Sequence, residues 1–284
     1  MSTIDTAAVS GQVDATADKI RAQKIAADRR RKKTLQNIGI RIVSLVTVLT
    51  IWEIAAGQID PVLFTKPSLI AVAAVQMIWS GELWNFLAPS LMVLAIGLSL
   101  ACVVGIAIGL LLARYTVIDI AFGVYITFLY SIPSVALVPL IVLWAGYETT
   151  AKVIILFMFA FFPMVINTYQ GVRNVDTKLL EVGRAFRCSE RQLWANIVLP
   201  AALPFIVTGV RLALGRGLIG MVLADLYTAI SGIGYLIVRT ASTFQVDKMF
   251  VPIVTLGLLG VTLTWLLRVV ELKVAPWTAA QDQE

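Results

Sequence analysis

Very few residues of this 284-residue chain could perform covalent or metal chemistry. It has no histidine and two cysteines, Cys102 and Cys188, which excludes histidine-based proton transfer and histidine or four-thiolate metal sites. No phosphate-binding loop of the G-x-x-x-x-G-K-[ST] type occurs, so we predict no ATP site in this chain. We therefore expect no catalytic residue, no metal and no cofactor.

Three charged residues, Arg211, Arg216 and Asp225, lie within one long apolar run. Arg211 and Asp225 are separated by about 21 Å along a helix, so their partners must come from other elements. Ionisable groups at membrane depth usually face a cavity or a partner. We predict that Arg211 and Asp225 belong to a substrate pathway. Snorkelling of Arg211 to a membrane surface is the structural alternative.

Prolines and polar residues interrupt two other apolar runs. Tyr130 and Pro133 lie in one, and Pro163 and Asn167 lie in the next. A proline leaves a carbonyl without its helical donor, which lipid tolerates only where protein or water satisfies it. Because broken helices with polar groups are typical of a transport path, we add Tyr130, Pro133 and Asn167 to the predicted pathway. A simple kink is the alternative.

The loop at about 171–199 has paired helix-start signals. Asp176 is suited to cap a helix, and Ser189 with Gln192 forms a capping box for a second one. On the first helix, one face would carry Leu179, Val182, Gly183 and Phe186. Two short, charged helices in one loop predict a docking surface for a soluble partner.

The elements that must position these residues are membrane-spanning helices. Hydrophobic residues make up 59% of the chain and charged residues 14%, against about a quarter charged in a soluble domain. Apolar runs near the length of a membrane helix recur at about 38–56, 88–113, 118–144, 152–170, 200–226 and 250–270. We predict an all-α membrane protein with six transmembrane helices in a domain at 37–275. Residues 1–36 would form a basic N-terminal tail and 276–284 a C-terminal tail.

The basic residues predict the orientation. Eight of the 23 lie between Lys19 and Lys33, ahead of the first apolar run. With both tails cytoplasmic, sixteen basic residues fall on inside segments and four on outside segments, which fits the positive-inside rule. The net charge of +6 then indicates contact with anionic lipid, with no nucleic acid as partner. A signal peptide is the alternative to the first span, but five further apolar runs follow it.

Small residues and turns predict how these helices pack. Glycine and alanine recur at helical spacing along 97–113 and 209–224, which lets another helix approach closely. A pore-lining role for these stripes is the alternative. On the outside, we predict a short interfacial helix from Leu69 to Trp79 and a flexible turn at 231–234 before another short helix.

One sequence pattern resembles a known family. Glu181-Val182-Gly183, followed after thirteen residues by Ile197-Val198-Leu199-Pro200, resembles the E-A-A loop and closing I-x-L-P of permease subunits of bacterial ABC importers. A likeness to the nitrate, sulfonate, taurine and bicarbonate group runs in colinear order from about residue 60 to 272. It includes Phe161-Phe162-Pro163, Ala201-Ala202-Leu203-Pro204, Thr208-Gly209-Val210-Arg211 and Ser231-Gly232-Ile233-Gly234-Tyr235.

The resemblance implies a type I ABC importer permease fold with cytoplasmic coupling helices, in a bacterial inner membrane. It implies a homodimer that receives a small solute from a periplasmic or extracellular substrate-binding protein. Two cytoplasmic ATPase subunits would bind ATP and Mg²⁺ and drive transport, so the chain itself would not be an enzyme. The predicted ATPase-coupling residues are Glu181, Val182, Gly183, Phe186, Arg187, Ser189, Gln192, Ile197, Leu199 and Pro200.

The chain departs from the family pattern at two points. The motif's glycine falls at Arg187, where a left-handed turn would cost an arginine about 1 kcal/mol, so either the turn differs or Arg187 contacts the partner. Related permeases commonly have an arginine near the third-span prolines and a second proline directly after the first, where this chain has Tyr130 and Ser134. That departure weakens an inference to a small inorganic anion. It leaves an organic anion such as a sulfonate, or an aromatic or heterocyclic compound, as the solute.

Two other function classes compete with an ABC permease. A self-sufficient secondary transporter would need its own coupling-ion site and usually has inverted repeats, which are not visible in this sequence. An intramembrane enzyme would need a nucleophile with a base or a cluster of metal ligands, and the sequence offers neither.

Overall fold

The structure is a computed structural model that describes residues 32–33, 35–60 and 63–274. Regular structure in these residues is helical, which confirms the predicted all-α class. The α-helices are α1 (Leu35–Ala56), α2 (Pro67–Trp79), α3 (Glu82–Arg114), α4 (Thr116–Ser131), α5 (Ser134–Ala145), α6 (Thr149–Arg173), α7 (Thr177–Ala185), α8 (Glu190–Leu193), α9 (Leu199–Thr228), α10 (Ile233–Ser242) and α11 (Val246–Val274). The predicted C-terminal tail, 276–284, lies outside the described residues. So does the predicted N-terminal tail, 1–36, apart from residues 32–33 and 35–36.

The described residues divide into two compact units, with the boundary in the chain between Ser68 and Leu69. In the first unit, the most apolar stretch of α1 has no buried residue, as expected of a helix surrounded by lipid. The indole of Trp52 donates to the carbonyl of Thr65. The Glu53 carboxylate accepts from both the amide and the hydroxyl of Ser68. Glu53 therefore satisfies a free amide in the first turn of α2.

The candidate membrane spans agree with the predicted number. Among the described residues, α1, α3, α6, the continuous run from α8 to α9, and α11 are long and apolar enough to cross a membrane. Helices α4 and α5 give a sixth span if they are counted as one, although they are bent by 96° relative to each other. The break predicted at Pro133 is confirmed. Ile132, the residue before it, is extended, as steric contact with a following proline favours.

The second predicted break is wrong, because α6 continues as a helix through Pro163. Pro163 and much of the surrounding helix are buried, since α3 and α9 pack against α6 on both sides. The amide of Asn167 donates to the Pro163 carbonyl at 2.7 Å. Tertiary packing therefore holds the helix together where the proline removes one of its hydrogen bonds.

Helix α6 forms the centre of the core, with more than half of its most apolar stretch buried. Leu156 and Met164 of α6 pack with residues of α3 and α9. The small residues of the two predicted stripes lie in these contacts: a Cβ at Gly105 would approach the Cβ of Met164 to 2.7 Å, and one at Gly220 would approach that of Phe159 to 3.0 Å. The packing interpretation of both stripes is confirmed. Because they face α6 within the chain, they provide no argument for a dimer.

The two short outer helices also occur as predicted, as α2 and α10. Trp79, at the end of α2, is 86% exposed and suits a membrane-interface anchor. The turn before α10 is not loose, because Ile233 and Gly234 are buried and their amides are hydrogen-bonded.

Candidate functional site

The loop that joins α6 to α9 is held rigidly by its own caps. The carboxylate of Asp176 accepts from the Lys178 amide at 2.9 Å and begins α7. Ser189 and Gln192 form the predicted capping box, in which the Gln192 side chain accepts from the Ser189 amide at 2.9 Å. The loop also has a small apolar core of Val175, Leu193 and Val198. Both predicted helix starts are therefore confirmed.

The predicted apolar face of α7 is divided between two environments. Gly183 is buried, and a Cβ there would lie 2.8 Å from Ile197 and 2.9 Å from Leu193, so this glycine permits the close packing of α7 on the following segment. Leu179, Val182 and Phe186 are exposed instead, and Phe186 is 81% exposed. We call these three residues the α7 stripe. They are spaced three and four residues apart, so they lie on one side of the helix.

Arg187 adopts the left-handed conformation that the motif's glycine would favour, with φ of 53°. The Cys188 amide donates to the Gly183 carbonyl at 3.0 Å, and the Arg187 amide donates to Arg184 at 2.9 Å. These two bonds define a Schellman end of α7. The turn therefore has the left-handed geometry that glycine would suit, and arginine costs about 1 kcal/mol there relative to glycine.

The second loop helix is not separate from the span that follows. α8 has four residues and continues through a π-helix at Trp194–Val198 into α9. Ile197, Leu199 and Pro200, which close the motif, are half-buried along this run. The Arg114 guanidinium lies 4.9 Å above the Trp194 ring and joins the end of α3 to the loop. Gly183 of α7 packs against Ile197 of this run, so α7 contacts the segment that continues into α9.

A groove of about 970 Å³ lies between α4 and α6. Its polar lining includes Asp119, Thr127, Tyr130, Ser131, Tyr169 and Gln170. None of the residues of α4 is buried, so this helix presents the groove and an apolar outer face. At one end, Asp119 accepts from the Tyr169 hydroxyl at 2.8 Å and pairs with Arg173 at 3.4 Å. The negative charge of Asp119 is therefore balanced by Arg173.

Tyr130 lies at the other end of α4, where three helices contribute side chains. Its ring centroid is 6.1 Å from that of Phe162, and its hydroxyl is 3.5 Å from Nη2 of Arg216. Pro133 follows at the break between α4 and α5. Asn167 does not line the groove, and its amide is used within α6.

The remaining predicted pathway residues, Arg211 and Asp225, have partners on other helices, as their separation required. Arg211 forms an ion pair with Glu271 of α11. Asp225 is 0% exposed and pairs with Lys152 of α6, whose side chain is 4% exposed, at 2.8 Å. The structure thus brings Tyr130 and Pro133 to one region but engages Arg211 and Asp225 in separate pairs.

The Lys152–Asp225 pair is part of a buried polar network that the sequence analysis missed. Ser90 of α3 donates to Asp225 and accepts from the Ile233 amide at 2.8 Å. Lys152 also donates to the Ser231 carbonyl at 2.6 Å. The network therefore ties α3, α6 and α9 to the turn before α10. The available signal was one acidic and one basic residue in separate apolar helices.

Helix dipoles alone would not favour this network. Lys152 lies in the first turns of α6 and Asp225 in the last turn of α9, each at the end that disfavours its charge. Gly232 makes the close approach possible, because its φ is 99° and a Cβ there would lie 2.2 Å from the Asp225 carboxylate. The pairing and the glycine turn are thus mutually dependent.

Comparisons with known proteins agree with this arrangement. Residues 105–276 match the family described as binding-protein-dependent transport system inner membrane component. The SsuC protein of Bacillus subtilis, named for transport of aliphatic sulfonates, is 32% identical over 81% of this chain and 84% of its own length. The formylaminopyrimidine transport permease ThiX of Halalkalibacterium halodurans is 31% identical over 82% of this chain and 94% of its own.

A solved structure supports the fold. A chain of the MetNI methionine ABC transporter, in an inward-facing conformation, aligns with a TM-score of 0.55 at 18% identity, covering 71% of this chain and 97% of that chain. With the candidate spans and the capped α7–α8 loop, these matches confirm the type I ABC importer permease fold predicted from the E-A-A pattern. The chain belongs to the family of binding-protein-dependent transport system inner membrane components, as a multi-pass ABC transporter permease of the sulfonate and taurine group.

Proposed function

We propose that this chain is the membrane subunit through which an ATP-driven importer passes a small solute from an external binding protein to the cytoplasm. The observation that supports this function best is the α7 stripe. Leu179, Val182 and Phe186 are apolar and exposed on a loop that lies between candidate spans and is locked by caps at both ends. An apolar patch with a charged surround is typical of a protein docking surface.

The partner proposed for the α7 stripe is a cytoplasmic ABC ATPase, with one subunit on each of two permease copies. The chain has no phosphate-binding loop, so ATP and Mg²⁺ would be held by that partner. This assignment puts the loop and both termini on the cytoplasmic side of a bacterial inner membrane. A self-sufficient secondary transporter has no ATPase partner and therefore needs no exposed docking stripe on this loop.

The solute proposed is a small organic compound. Relatives are named for aliphatic sulfonates and for a formylaminopyrimidine, so an organic anion and a heterocycle are the two classes to separate. The path proposed runs along the groove between α4 and α6, past Tyr130 and Pro133. Asn167 does not line this groove, because its Cβ faces Gly209 of α9, so the proposed path does not include it.

We further propose that two copies of the chain form the transport unit. The support is the groove beside α4, whose polar side chains, such as Thr127 and Gln170, are unsuited to lipid, together with the exposed apolar face of this helix. A second copy would cover this face and close the groove into a path on the two-fold axis. We expect two permease copies per pair of ATPase subunits, measured as the mass of the purified complex. A mass with one copy would contradict the homodimer.

Replacing Phe186 with serine tests the docking assignment. Because Phe186 is 81% exposed, its loss should leave the fold intact. Truncation of an aromatic anchor at an interface costs about 2 kcal/mol, or roughly thirty-fold in affinity. We expect that much weaker binding of the ATPase, measured by titration of the purified components, together with lower ATP-dependent uptake.

Trp79→Ser is the matched control, since Trp79 is a similarly exposed aromatic residue on α2. It should leave ATPase binding unchanged. Equal affinities for Phe186→Ser and the original chain would show that the ATPase docks elsewhere.

A further inference from the structure

Arg216 is a charged residue of α9 that has no counter-charge among the residues that the structure describes. The other two, Arg211 and Asp225, are paired with residues of neighbouring helices. Within the part of the chain that the structure describes, no carboxylate lies within 4 Å of the Arg216 guanidinium. The side chain is exposed in the single chain. Its position is therefore not explained by an internal ion pair.

The depth of Arg216 makes this unpaired charge informative. Seventeen residues separate it from the start of α9 and twelve from the end, so it lies about 18 Å from the nearer end. An arginine side chain is too short to reach a membrane surface over that distance. A charged group at this depth usually faces a water-filled cavity or a partner.

The contacts of Arg216 place it beside the groove. Its guanidinium carbon is 5.8 Å from the ring centroid of Tyr130, and Nη2 is 3.5 Å from the tyrosine hydroxyl. Tyr130 lines the groove between α4 and α6. One weak contact leaves most of the five guanidinium donors free, and these donors match the paired oxygens of a sulfonate or carboxylate.

We propose that Arg216, assisted by the Tyr130 hydroxyl, is the anion-recognition point of the solute path, and that the solute is an organic anion. This inference rests on the proposed import function. Arg216, which belongs to α9, would supply a positive charge next to Tyr130. The acidic residue of the groove, Asp119, is compensated by Tyr169 and Arg173 and does not repel an anion. An uncharged heterocycle would leave the guanidinium unsatisfied, which disfavours that solute class.

Charged thiol reagents test this site without knowledge of the natural solute. Cys102 and Cys188 are replaced with serine, and Thr127, which lines the groove one turn before Tyr130, is replaced with cysteine. The full chain in lipid nanodiscs is treated with anionic 2-sulfonatoethyl or cationic trimethylammonioethyl methanethiosulfonate. Each rate is divided by that of free cysteine. We expect the anionic reagent to be favoured by about tenfold or more.

Substitutions of Arg216 identify the source of that preference. Arg216→Gln should bring the normalised ratio close to one, and Arg216→Lys should retain most of it because the charge remains. The matched control replaces both Arg211 and Glu271 with glutamine, which removes a compensated pair from the same helix and should leave the ratio unchanged.

Three results would overturn the inference. The introduced cysteine could react with neither reagent, or the two normalised rates could be equal in the variant that retains Arg216. The preference for the anionic reagent could also be unchanged in Arg216→Gln. Failure of the proposed import function is distinguishable, since it would appear as absence of ATPase binding and ATP-dependent uptake while the reagent preference persists.

Discussion

Replacing Lys152 with methionine is expected to lower the free energy of unfolding by roughly 3–5 kcal/mol, because it leaves a buried carboxylate without its counter-charge. Asp225 is 0% exposed, and the lysine ammonium lies 2.8 Å from it. The same ammonium donates to the backbone and hydroxyl of Ser231, so the substitution also frees the turn before α10. Thermal and denaturant unfolding of the purified chain in detergent would measure the loss.

Two variants show whether the effect comes from the uncompensated charge. Arg239→Met removes a longer, exposed contact with Glu82, at 3.8 Å, and should cost less than about 1 kcal/mol. The double change Lys152→Met with Asp225→Leu removes both buried charges and should recover part of the stability, because the hydrogen bonds to Ser231 and Ser90 remain lost. A single Lys152 variant that is no less stable than Arg239→Met would refute the structural role of the pair.

The second large effect is expected from Gly109→Leu, which should destabilise the chain by about 2–3 kcal/mol through overpacking. A Cβ at this position would lie 2.7 Å from the Cβ of Thr168 and 2.8 Å from the carbonyl of Val165. Because the second of these atoms belongs to the backbone of α6, the clash cannot be relieved by rotating a side chain. α3 would have to move away from α6, which would open the core.

Gly257→Leu on α11 is the matched control, since no atom lies within 4 Å of a Cβ there. The same detergent unfolding measurement should find this variant close to the original stability. If Gly109→Leu unfolds at the same denaturant concentration as Gly257→Leu, α3 and α6 do not pack as closely as described.

Much of the architecture could be predicted from residues that are close in the chain. The apolar runs identify the candidate spans, since hydropathy depends on side-chain composition over one helix length. The caps at Asp176 and Ser189 could be predicted for the same reason, because a capping side chain bonds to amides two or three residues away. The left-handed turn after α7 follows the family motif even with arginine in the glycine position.

Local patterns could not predict the structure where the same residue type had different effects in two helices. Pro133 ends one helix and Pro163 does not. The surroundings of the two prolines differ, because α4 has no buried residues whereas α6 is enclosed by α3 and α9 around its proline. The face of α7 was also only partly predicted, because Gly183 packs on Leu193 and Ile197 while the three apolar residues point outward.

The amino-acid sequence by itself determined the helical membrane class, the capped loop and the family. Tertiary structure alone decided which charges meet. Asp225 pairs with a lysine 73 positions away, Arg211 with a glutamate 60 positions away, and Arg216 contacts a tyrosine 86 positions away without an acidic partner among the described residues. Such pairings depend on the relative rotation and depth of separate helices. Those are set by the close packing of small residues against α6, and no local pattern encodes them.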